Sequence, residues 1–205
     1  MNFEEFWTRG DLHKRVNIAL KEANLLEKKI EIEDLFPLDQ YHARGIAATI
    51  ELADKLNFTK NSNIVDIGCG LGGPARYFSK RFSCNVYGID ITEAFIEIGN
   101  YFNKLTQIDH QVKLLKGDGE NLPYQTEFFD GAVSQHVTMN IEDREQFFNE
   151  AFRVLKKGAI FGFSEHGLGT KGSPIFPLPW ADNEDMSFLK TPEYTKSLLK
   201  KIGFK

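Results

Sequence analysis

The pattern of apolar and polar residues predicts alternating strands and helices along most of the chain. Short continuous apolar runs predict five strands, at residues 63–67, 84–90, 112–116, 129–135 and 159–165. Apolar residues repeated every three or four positions predict intervening helices, at residues 74–82, 92–106, 142–155 and 191–202. This alternation is typical of a doubly wound α/β fold, in which ligands bind beyond the carboxyl ends of parallel strands.

Two more helices are predicted before the first strand. Asp11 is a candidate N-cap for a helix that runs to about Leu26, with apolar residues along one face. A second helix, at about residues 45–56, leads into the first strand. The sequence therefore predicts one structural domain with two parts, a helical cap over the ligand site (residues 1–60) and an α/β core (residues 61–205).

Glycines fill the junction between the first predicted strand and the next helix. The sequence from Val65 to Gly73 is VDIGCGLGG. Glycine lets the backbone turn sharply at such a junction and approach a ligand closely. Gly68, Gly70 and Gly73 satisfy the dinucleotide pattern G-x-G-x-x-G, and Asp90 follows the second strand at the expected distance. Taken alone, these residues are compatible with a nicotinamide enzyme.

Four ordered motifs resemble those of class I S-adenosylmethionine-dependent methyltransferases. Asp66 and Gly72 extend the loop pattern to D-x-G-x-G-x-G, and a carboxylate there suits the ammonium group of S-adenosylmethionine. The other motifs are GIDI at residues 88–91, GDGENLPY at residues 117–124 and FFDGAV at residues 128–133. The GDGENLPY segment resembles the family's GDxxxLPF segment, which nicotinamide enzymes do not share. The resemblance implies a Rossmann-like sheet with S-adenosyl-L-methionine as cofactor.

The resemblance also implies a set of cofactor contacts. Asp66 is expected at the ammonium, Asp90 at the ribose hydroxyls, and Ile91 against the adenine. Asp118 is expected at the adenine amino group. Arg44 is a candidate partner for a carboxylate of cofactor or substrate, the alternative being an exposed arginine at a helix start. The full expected cofactor set is Asp66, Gly68, Gly70, Gly72, Asp90, Ile91, Asp118, Gly119, Glu120, Gln135 and Arg44.

Three further segments resemble a narrower group of small-molecule methyltransferases. They are LDQYHARG at residues 38–45, QHVTMNI at residues 135–141 and FPLPWA at residues 176–181. The nearest familiar members are the glycine, sarcosine and dimethylglycine N-methyltransferases, and tocopherol C-methyltransferases are more distant. The resemblance implies methyl transfer to a small acceptor, with an amine as one candidate.

Candidate catalytic residues follow from the chemistry of that reaction. An amine acceptor must be positioned and must lose a proton, and His42 and His136 are candidate bases because histidine exchanges protons near neutrality. Hydrogen-bonding wall residues are the alternative. Tyr41, Met139 and Trp180 are candidates for an aromatic and apolar cage around a methylated ammonium, or for ordinary packing. The expected catalytic set is His136, His42 and Tyr41, and the expected substrate set is Tyr41, Arg44, Met139, Asn140 and Trp180. Glu165, at the end of the fifth strand, is expected to face either the cleft or solvent.

The composition limits the kinds of partner and the cellular compartment that are expected for this protein. The chain has 205 residues, 41% of them hydrophobic and 26% charged, which suits one domain with a substantial core. A net charge of −4 without a dense basic cluster argues against a nucleic-acid partner. No apolar run is long enough for a membrane span, and no secretory leader is evident, so a cytoplasmic protein is expected. Cys69 and Cys84 lie at neither disulfide nor metal spacing, and no metal is expected.

The end of the sequence departs from the family pattern. The resemblance implies two further strands after the last helix, whereas the chain stops at Lys205. The strand at residues 159–165 would then be an apolar sheet edge. We expect a second subunit, the N-terminal helices or residues 167–181 to cover it. Two functions stay open, an active methyltransferase and a shortened homologue that binds S-adenosylmethionine or its product without turnover, as a partner or regulatory subunit.

Overall fold

Five parallel strands form one sheet in the computed structural model, which describes residues 3–8 and 10–205. The strand order is β3-β2-β1-β4-β5, and the strands are β1 (Asn63–Ile67), β2 (Asn85–Asp90), β3 (Val112–Lys116), β4 (Phe129–Gln135) and β5 (Leu155–Ser164). The helices are α1 (Phe3–Trp7), α2 (Leu12–Glu22), α3 (Phe36–Asp39), α4 (Ile46–Ala53), α5 (Gly73–Phe82), α6 (Glu93–Leu105), α7 (Arg144–Val154) and α8 (Pro192–Ile202). The order of strands and helices confirms the predicted doubly wound α/β fold.

Both faces of the central strands β1 and β4 are buried, as is usual in parallel sheets. Because side chains alternate along a strand, Ile64 of β1 packs on the α5 side with Phe78. Its neighbour Val65 packs on the opposite side with Phe147 and Phe148 of α7. The glycine loop lies between β1 and α5, at the end of this two-sided core.

The strand β5 begins at Leu155, four positions before the predicted start. Helix α7 ends at Val154 and the chain passes directly into the strand, where Leu155 pairs with Phe129 of β4. A register irregularity follows before Gly131 pairs with Ile160. The polar stretch between Leu155 and Ile160 concealed this start in the sequence pattern.

The N-terminal region packs on the core through α2. The buried face of α2 carries Leu12, Val16 and Leu20, which pack with Phe95 and Phe102 of α6. This helix ends at Glu22, earlier than predicted, and it does not line the ligand cleft described below. The part of the region that reaches the cleft is Trp7, in a short helix that the sequence pattern did not predict.

A buried ion pair ties the segment before α4 to the glycine loop. Arg76 Nη2 lies 2.9 Å from Asp39 Oδ2, and both side chains are fully buried. The same guanidinium donates to the carbonyl oxygen of Leu71 and to Asn103 Oδ1. Burial raises the pKa of Asp39, and the charge of Arg76 opposes this rise. Removing one partner would leave the other charge buried and unpaired, at a cost of about 3–5 kcal/mol.

The outer edge of β5 has no strand partner among the described residues. Within residues 3–8 and 10–205 no strand pairs with that edge, and neither the N-terminal helices nor residues 167–181 form backbone hydrogen bonds with it. Leu52 of α4 and Leu56, which follows that helix, pack against Gly162 and cover one face of β5. The N-terminal region therefore covers one face of β5 without pairing with its edge, and cover of the edge by a second subunit stays a prediction.

Two smaller expectations concern the cysteines and the membrane. Cys69 and Cys84 are buried free thiols, and burial raises the pKa of Cys84 to about 12. In the described part of the chain, no helix combines the length and the apolar composition that a membrane span needs.

Candidate active site

A cleft of about 340 Å³ lies at the carboxyl ends of the central strands. It contains eleven of the residues that the sequence singled out: Tyr41, Gly68, Gly70, Asp90, Ile91, Asp118, Gly119, Glu120, Gln135, His136 and Asn140. The fold thus brings together residues from widely separated motifs.

The glycine loop and Asp90 hold each other in place. Gly68 and Gly70 have φ angles of +79° and +52°, in the left-handed region. The N–H of Gly70 donates to Asp90 Oδ2 at 2.8 Å, and the N–H of Thr92 donates to Asp90 Oδ1 at 2.9 Å. A Cβ on Gly68 would lie 2.2 Å from Val137 Cγ2, so only glycine fits there. Burial raises the pKa of Asp90, and the two N–H donors oppose that rise.

The side chain of Asp66, directly behind this loop, has a buried carboxylate oxygen without a hydrogen-bond partner among the described residues. Its side chain is 2% exposed, and Oδ2 has no hydrogen-bond partner among the described residues. Burial, together with the nearby charge of Asp90, raises the pKa of Asp66 to about 7. A buried carboxylate in this state is stabilised by a cation placed nearby.

A tight turn after β3 forms another wall. Asp118 Oδ1 accepts a hydrogen bond from the N–H of Glu120 at 2.8 Å. A Cβ on Gly119 would lie 2.9 Å from Phe147 Cε2, so the backbone packs closely on α7. Burial raises the pKa of Glu120, and the neighbouring carboxylates of Asp118, Asp143 and Glu142 add to the rise.

A polar network joins the end of β4 to the segment before α4. Thr49 Oγ1 donates to Gln40 Oε1 at 2.7 Å and lies 3.0 Å from His42 Nε2 and 3.3 Å from Gln135 Oε1. Gln135 Nε2 is buried and has no partner among the described residues, and Gln135 lines the cleft. One amide donor is therefore available to a bound molecule.

Three histidines form a contiguous group at the other end of the cleft. His136 has a φ angle of +57°, and its ring stacks on His42 at 5.6 Å between centroids. Its ring also meets His166 edge to face at 4.5 Å, and His166 stacks on Trp180. Burial, with the neighbouring His166 and His42, lowers the pKa of His136 to about 4. His136 is therefore a neutral imidazole at pH 7 and can accept a proton.

Sequence reasoning missed the aromatic wall beside these histidines. Trp7 contacts Tyr41 at 6.2 Å between ring centroids, and Tyr41 contacts Phe95 at 6.0 Å. Phe188 completes the wall. The apolar face of α6 gave a signal for Phe95, whereas Trp7 and Phe188 lie in segments without a periodic pattern.

Several predicted residues lie away from the cleft. Arg44 is exposed and makes a bidentate pair with Glu51, which matches the exposed-arginine alternative. Met139 and Trp180 are buried in a packing cluster with Phe6, so only Tyr41 of the expected cage lines the cleft. Asp66, Gly72 and His42 lie behind the cleft wall rather than on it.

Glu165 has a structural partner rather than a place in the cleft. Its carboxylate lies 3.2 Å from Nη1 of Arg144, whose side chain is 1% exposed. The Arg144 guanidinium also donates to the carbonyl oxygens of Thr138 and Phe188 and to Thr195 Oγ1. One buried side chain therefore joins the segments after β4 and β5 to α8.

Comparison with known proteins shows that part of this chain is similar to methyltransferases. Residues 65–163 match the family Methyltransf_11, described as a methyltransferase domain. Sterol 24-C-methyltransferase of Candida albicans is 32% identical over 114 residues, which are 56% of this chain and 30% of that protein. Sarcosine/dimethylglycine N-methyltransferase of Halorhodospira halochloris is 29% identical over 172 residues, which are 84% of this chain and 61% of that protein.

A solved structure supports the same fold over nearly the whole chain. Phosphoethanolamine N-methyltransferase 2 of Haemonchus contortus, in complex with S-adenosyl-L-methionine, superposes with a TM-score of 0.75 at 19% sequence identity. The match covers 99% of this chain and 44% of that one. Residues 65–163 therefore match a methyltransferase domain, in agreement with the motifs, and the chain shares the fold of a solved methyltransferase. The chain matches 30% of the length of the sterol methyltransferase and 61% of the length of the sarcosine/dimethylglycine methyltransferase.

Residues on the cleft wall and directly behind it fit S-adenosyl-L-methionine. A Cβ on Gly70 would meet no atom within 4 Å, so the loop leaves open space beside its backbone. Asp66 Oδ2 and Gln135 Nε2 are an unpaired acceptor and an unpaired donor. They suit the ammonium and the carboxylate of an amino acid moiety.

Proposed function

We propose that this protein transfers a methyl group from S-adenosylmethionine to a small-molecule acceptor, and that the acceptor is an amine. The observation that carries the proposal is that the glycine loop, Asp90 and the uncharged ring of His136 line the same cleft. S-adenosylmethionine would supply a methyl group activated by its positive sulfur. The protein then has to hold the two reactants in line and exclude water.

The proposed cofactor contacts use groups that the fold has already fixed. Asp90 is held by the N–H groups of Gly70 and Thr92, so its carboxylate is oriented before a ligand arrives. We assign it to the ribose hydroxyls and Asp66 to the ammonium group. Asp118 is assigned to the adenine amino group, and Gln135 Nε2 to the cofactor carboxylate. Preorganised groups of this kind reduce the entropy cost of binding.

The acceptor end supplies a base and a dry wall. His136 lines the cleft and would receive the proton that an amine loses as its new N–C bond forms; its lowered pKa means that this proton would pass on to solvent. His42 and His166 contact its ring and hold its orientation. Trp7, Tyr41 and Phe188 would shield the reacting nitrogen from water. Asn140 Nδ2 donates to the carbonyls of Trp180 and Met186, so this residue stabilises the wall.

Two measurements in sequence test the proposal. Calorimetric titration with S-adenosylmethionine and with S-adenosylhomocysteine comes first, with the Asp90→Ala variant as the control that should lose binding. Release of S-adenosylhomocysteine is then followed with glycine, sarcosine and dimethylglycine, and afterwards with phenolic and quinone acceptors. Binding with turnover of an amine supports the proposal. A folded chain that binds neither compound would overturn it, and binding without turnover on the whole panel would favour the non-catalytic partner or regulatory homologue.

A further inference from the structure

The hydroxyl of Thr49, in α4, lies at the centre of the polar network behind the cleft. Thr49 is fully buried. Its Oγ1 lies 2.7 Å from Gln40 Oε1, 3.0 Å from His42 Nε2 and 3.3 Å from Gln135 Oε1. A hydroxyl has one proton to donate and two lone pairs that accept. The partner that receives this proton therefore decides how the other contacts are made.

The orientation of the Gln40 amide determines where the proton of Thr49 goes. Gln40 Nε2 donates to Asp39 Oδ1 at 3.3 Å, and the buried guanidinium of Arg76 holds the same carboxylate. A carboxylate accepts hydrogen bonds and does not donate them, so the amide turns its nitrogen toward Asp39 and its oxygen toward Thr49. The contact with this oxygen is the shortest of the three, so Thr49 donates to Gln40.

The position of the proton on His42 follows from this bond. Because Thr49 Oγ1 has given its proton to Gln40, it accepts from His42, and Nε2 must then carry the N–H. Burial lowers the pKa of His42, and the carbonyl oxygen of Ala43 opposes this shift. The ring is therefore neutral at pH 7 and has a single N–H.

The other neutral tautomer of His42 is disfavoured by the same network. It would place the N–H on Nδ1, which lies 3.3 Å from the carbonyl oxygen of Ala43. Thr49 would then turn its proton to His42 Nε2 and leave the buried Gln40 Oε1 without this donor. The contact with Ala43 is exposed, so water can replace it, whereas a buried acceptor requires a partner from the protein.

His42 in turn supports the ring of His136. The two rings stack with 5.6 Å between centroids and 18° between planes. His136 lines the cleft, whereas His42 and Thr49 lie behind its wall. The bond from Nε2 to Thr49 restricts rotation of the His42 ring and fixes the face that it presents to His136. A base needs its lone pair aimed at the proton that it takes.

We propose that Thr49 is a positioning residue for proton removal by His136. Its hydroxyl fixes the Nε2–H tautomer of His42 and so holds the imidazole on which His136 stacks. This inference rests on the proposed function, in which His136 receives the proton of an amine. Since the proton of Thr49 goes to Gln40 and not to Gln135, loss of the hydroxyl should affect turnover and leave cofactor affinity unchanged.

The tautomer of His42 tests the proposal on the full chain without turnover. Long-range proton–nitrogen NMR spectra of histidine-labelled protein at about pH 7 distinguish protonated from unprotonated ring nitrogens, and His42→Gln assigns the signals. We expect the Nε2–H form in the parent chain. Thr49→Val, which replaces the hydroxyl by a methyl group, should increase the Nδ1–H form, and Thr49→Ser should keep the parent spectrum. An Nδ1–H form in the parent, or an unchanged spectrum in Thr49→Val, would overturn the proposal.

Turnover of the accepted amine tests the link to His136. Thr49→Val should lower kcat about tenfold, because a misaligned base loses part of its effect, with KM and cofactor affinity within about twofold of the parent. Thr49→Ser should restore most of kcat. Thr106→Val is the matched control, since this hydroxyl bonds a carbonyl oxygen of α6 outside the cleft. Circular dichroism melting checks that all variants fold.

The outcomes separate this inference from the proposed function. A parent chain that turns over an amine, with kcat unchanged in Thr49→Val or with kcat and cofactor affinity lost in parallel, would overturn the role of Thr49 alone. A parent chain without turnover would contradict the proposed function, and the NMR spectra would then decide whether Thr49 fixes His42.

Discussion

The proposed cofactor end and the proposed acceptor end of the cleft are built in different ways. The cofactor end is formed by short segments that directly follow the parallel strands β1, β2 and β3, and its main contacts are backbone N–H groups and carboxylates. The acceptor end is formed by side chains from four distant parts of the chain, Trp7, Tyr41, His136 and Phe188. Strand register fixes the first end, whereas the packing of helices and loops fixes the second. Substitutions should therefore separate into effects on cofactor affinity and effects on turnover.

The largest effect is expected from Asp90→Ala. This substitution leaves the N–H groups of Gly70 and Thr92 without their acceptor and removes the proposed ribose contact. We expect affinity for S-adenosylmethionine to fall about a thousandfold, since hydrogen bonds to a charged group contribute about 1.5–3 kcal/mol each. Calorimetry measures the change, and Asp90→Asn, which keeps one acceptor oxygen, should lose less. Unchanged affinity in Asp90→Ala would remove this residue from the cofactor end.

A smaller effect, on turnover alone, is expected from His136→Gln. Removing the base should lower kcat about a hundredfold, while affinity for the cofactor stays within about twofold of the parent. His136→Asn is the control for backbone strain, because asparagine tolerates the left-handed φ angle at this position. If either variant lost cofactor affinity in parallel with kcat, the division of the cleft into two ends would be wrong.

The protonation of His136 also makes a prediction about stability. Its pKa in the folded protein, about 4, is below the ordinary value of about 6.5, so the unfolded chain binds more protons between these values. Stability contributed by this residue is therefore present above pH 6.5 and is lost as the pH falls toward 4. Urea unfolding at pH 4.5, 5.5 and 7 should show a weaker dependence on pH for His136→Gln than for the parent chain.

Asp66 should make cofactor affinity depend on pH. Its pKa of about 7 is raised above the ordinary value of an aspartate. Without ligand, the folded state therefore holds one more proton than the unfolded state between about pH 4 and 7. The stability that this proton contributes is lost as the pH rises through that window. A cationic ligand favours the ionised form, so affinity should rise by up to about tenfold per pH unit below pH 7 and level off above it. Calorimetry at pH 6, 7 and 8 measures the slope, which Asp66→Asn should flatten. If affinity depended on pH equally in the parent chain and in Asp66→Asn, the assignment of Asp66 to the ammonium group would be wrong.

Trp7→Ala tests the acceptor wall. Losing one aromatic wall should raise KM for the acceptor about tenfold through reduced apolar burial, with cofactor affinity unchanged within about twofold. Leu26→Ala, at a 43% exposed position outside the cleft, is the control for non-specific effects of the N-terminal region. A Trp7→Ala variant that loses cofactor affinity and keeps its KM would reverse the assignment.

The smallest effect is expected from Arg44→Ala. Its guanidinium forms an exposed pair with Glu51, and such pairs contribute about 0–1 kcal/mol. Cofactor affinity and KM should stay within about twofold of the parent values in the titration and in the turnover assay. A large loss in either measurement would return Arg44 to the site that the motif suggested.

The difference between the two ends of the cleft also explains which residues the sequence could predict. The strand β1, the glycine loop and Asp90 were predicted because strand patterning and glycine placement are local properties. Trp7 and Phe188 were missed, and Trp180 was assigned to the cleft, because their positions depend on contacts between distant segments. Arg44 illustrates the same limit, since a charged residue near a helix start has no local signal that separates a ligand contact from a surface pair.

The buried Arg144 side chain has a consequence for communication across the molecule. Its guanidinium holds the carbonyl of Phe188, a residue of the cleft wall, and the hydroxyl of Thr195 in α8. A change in the position of α8 would therefore reach the aromatic wall through one buried side chain. A substitution in α8 can then alter the cleft without touching it.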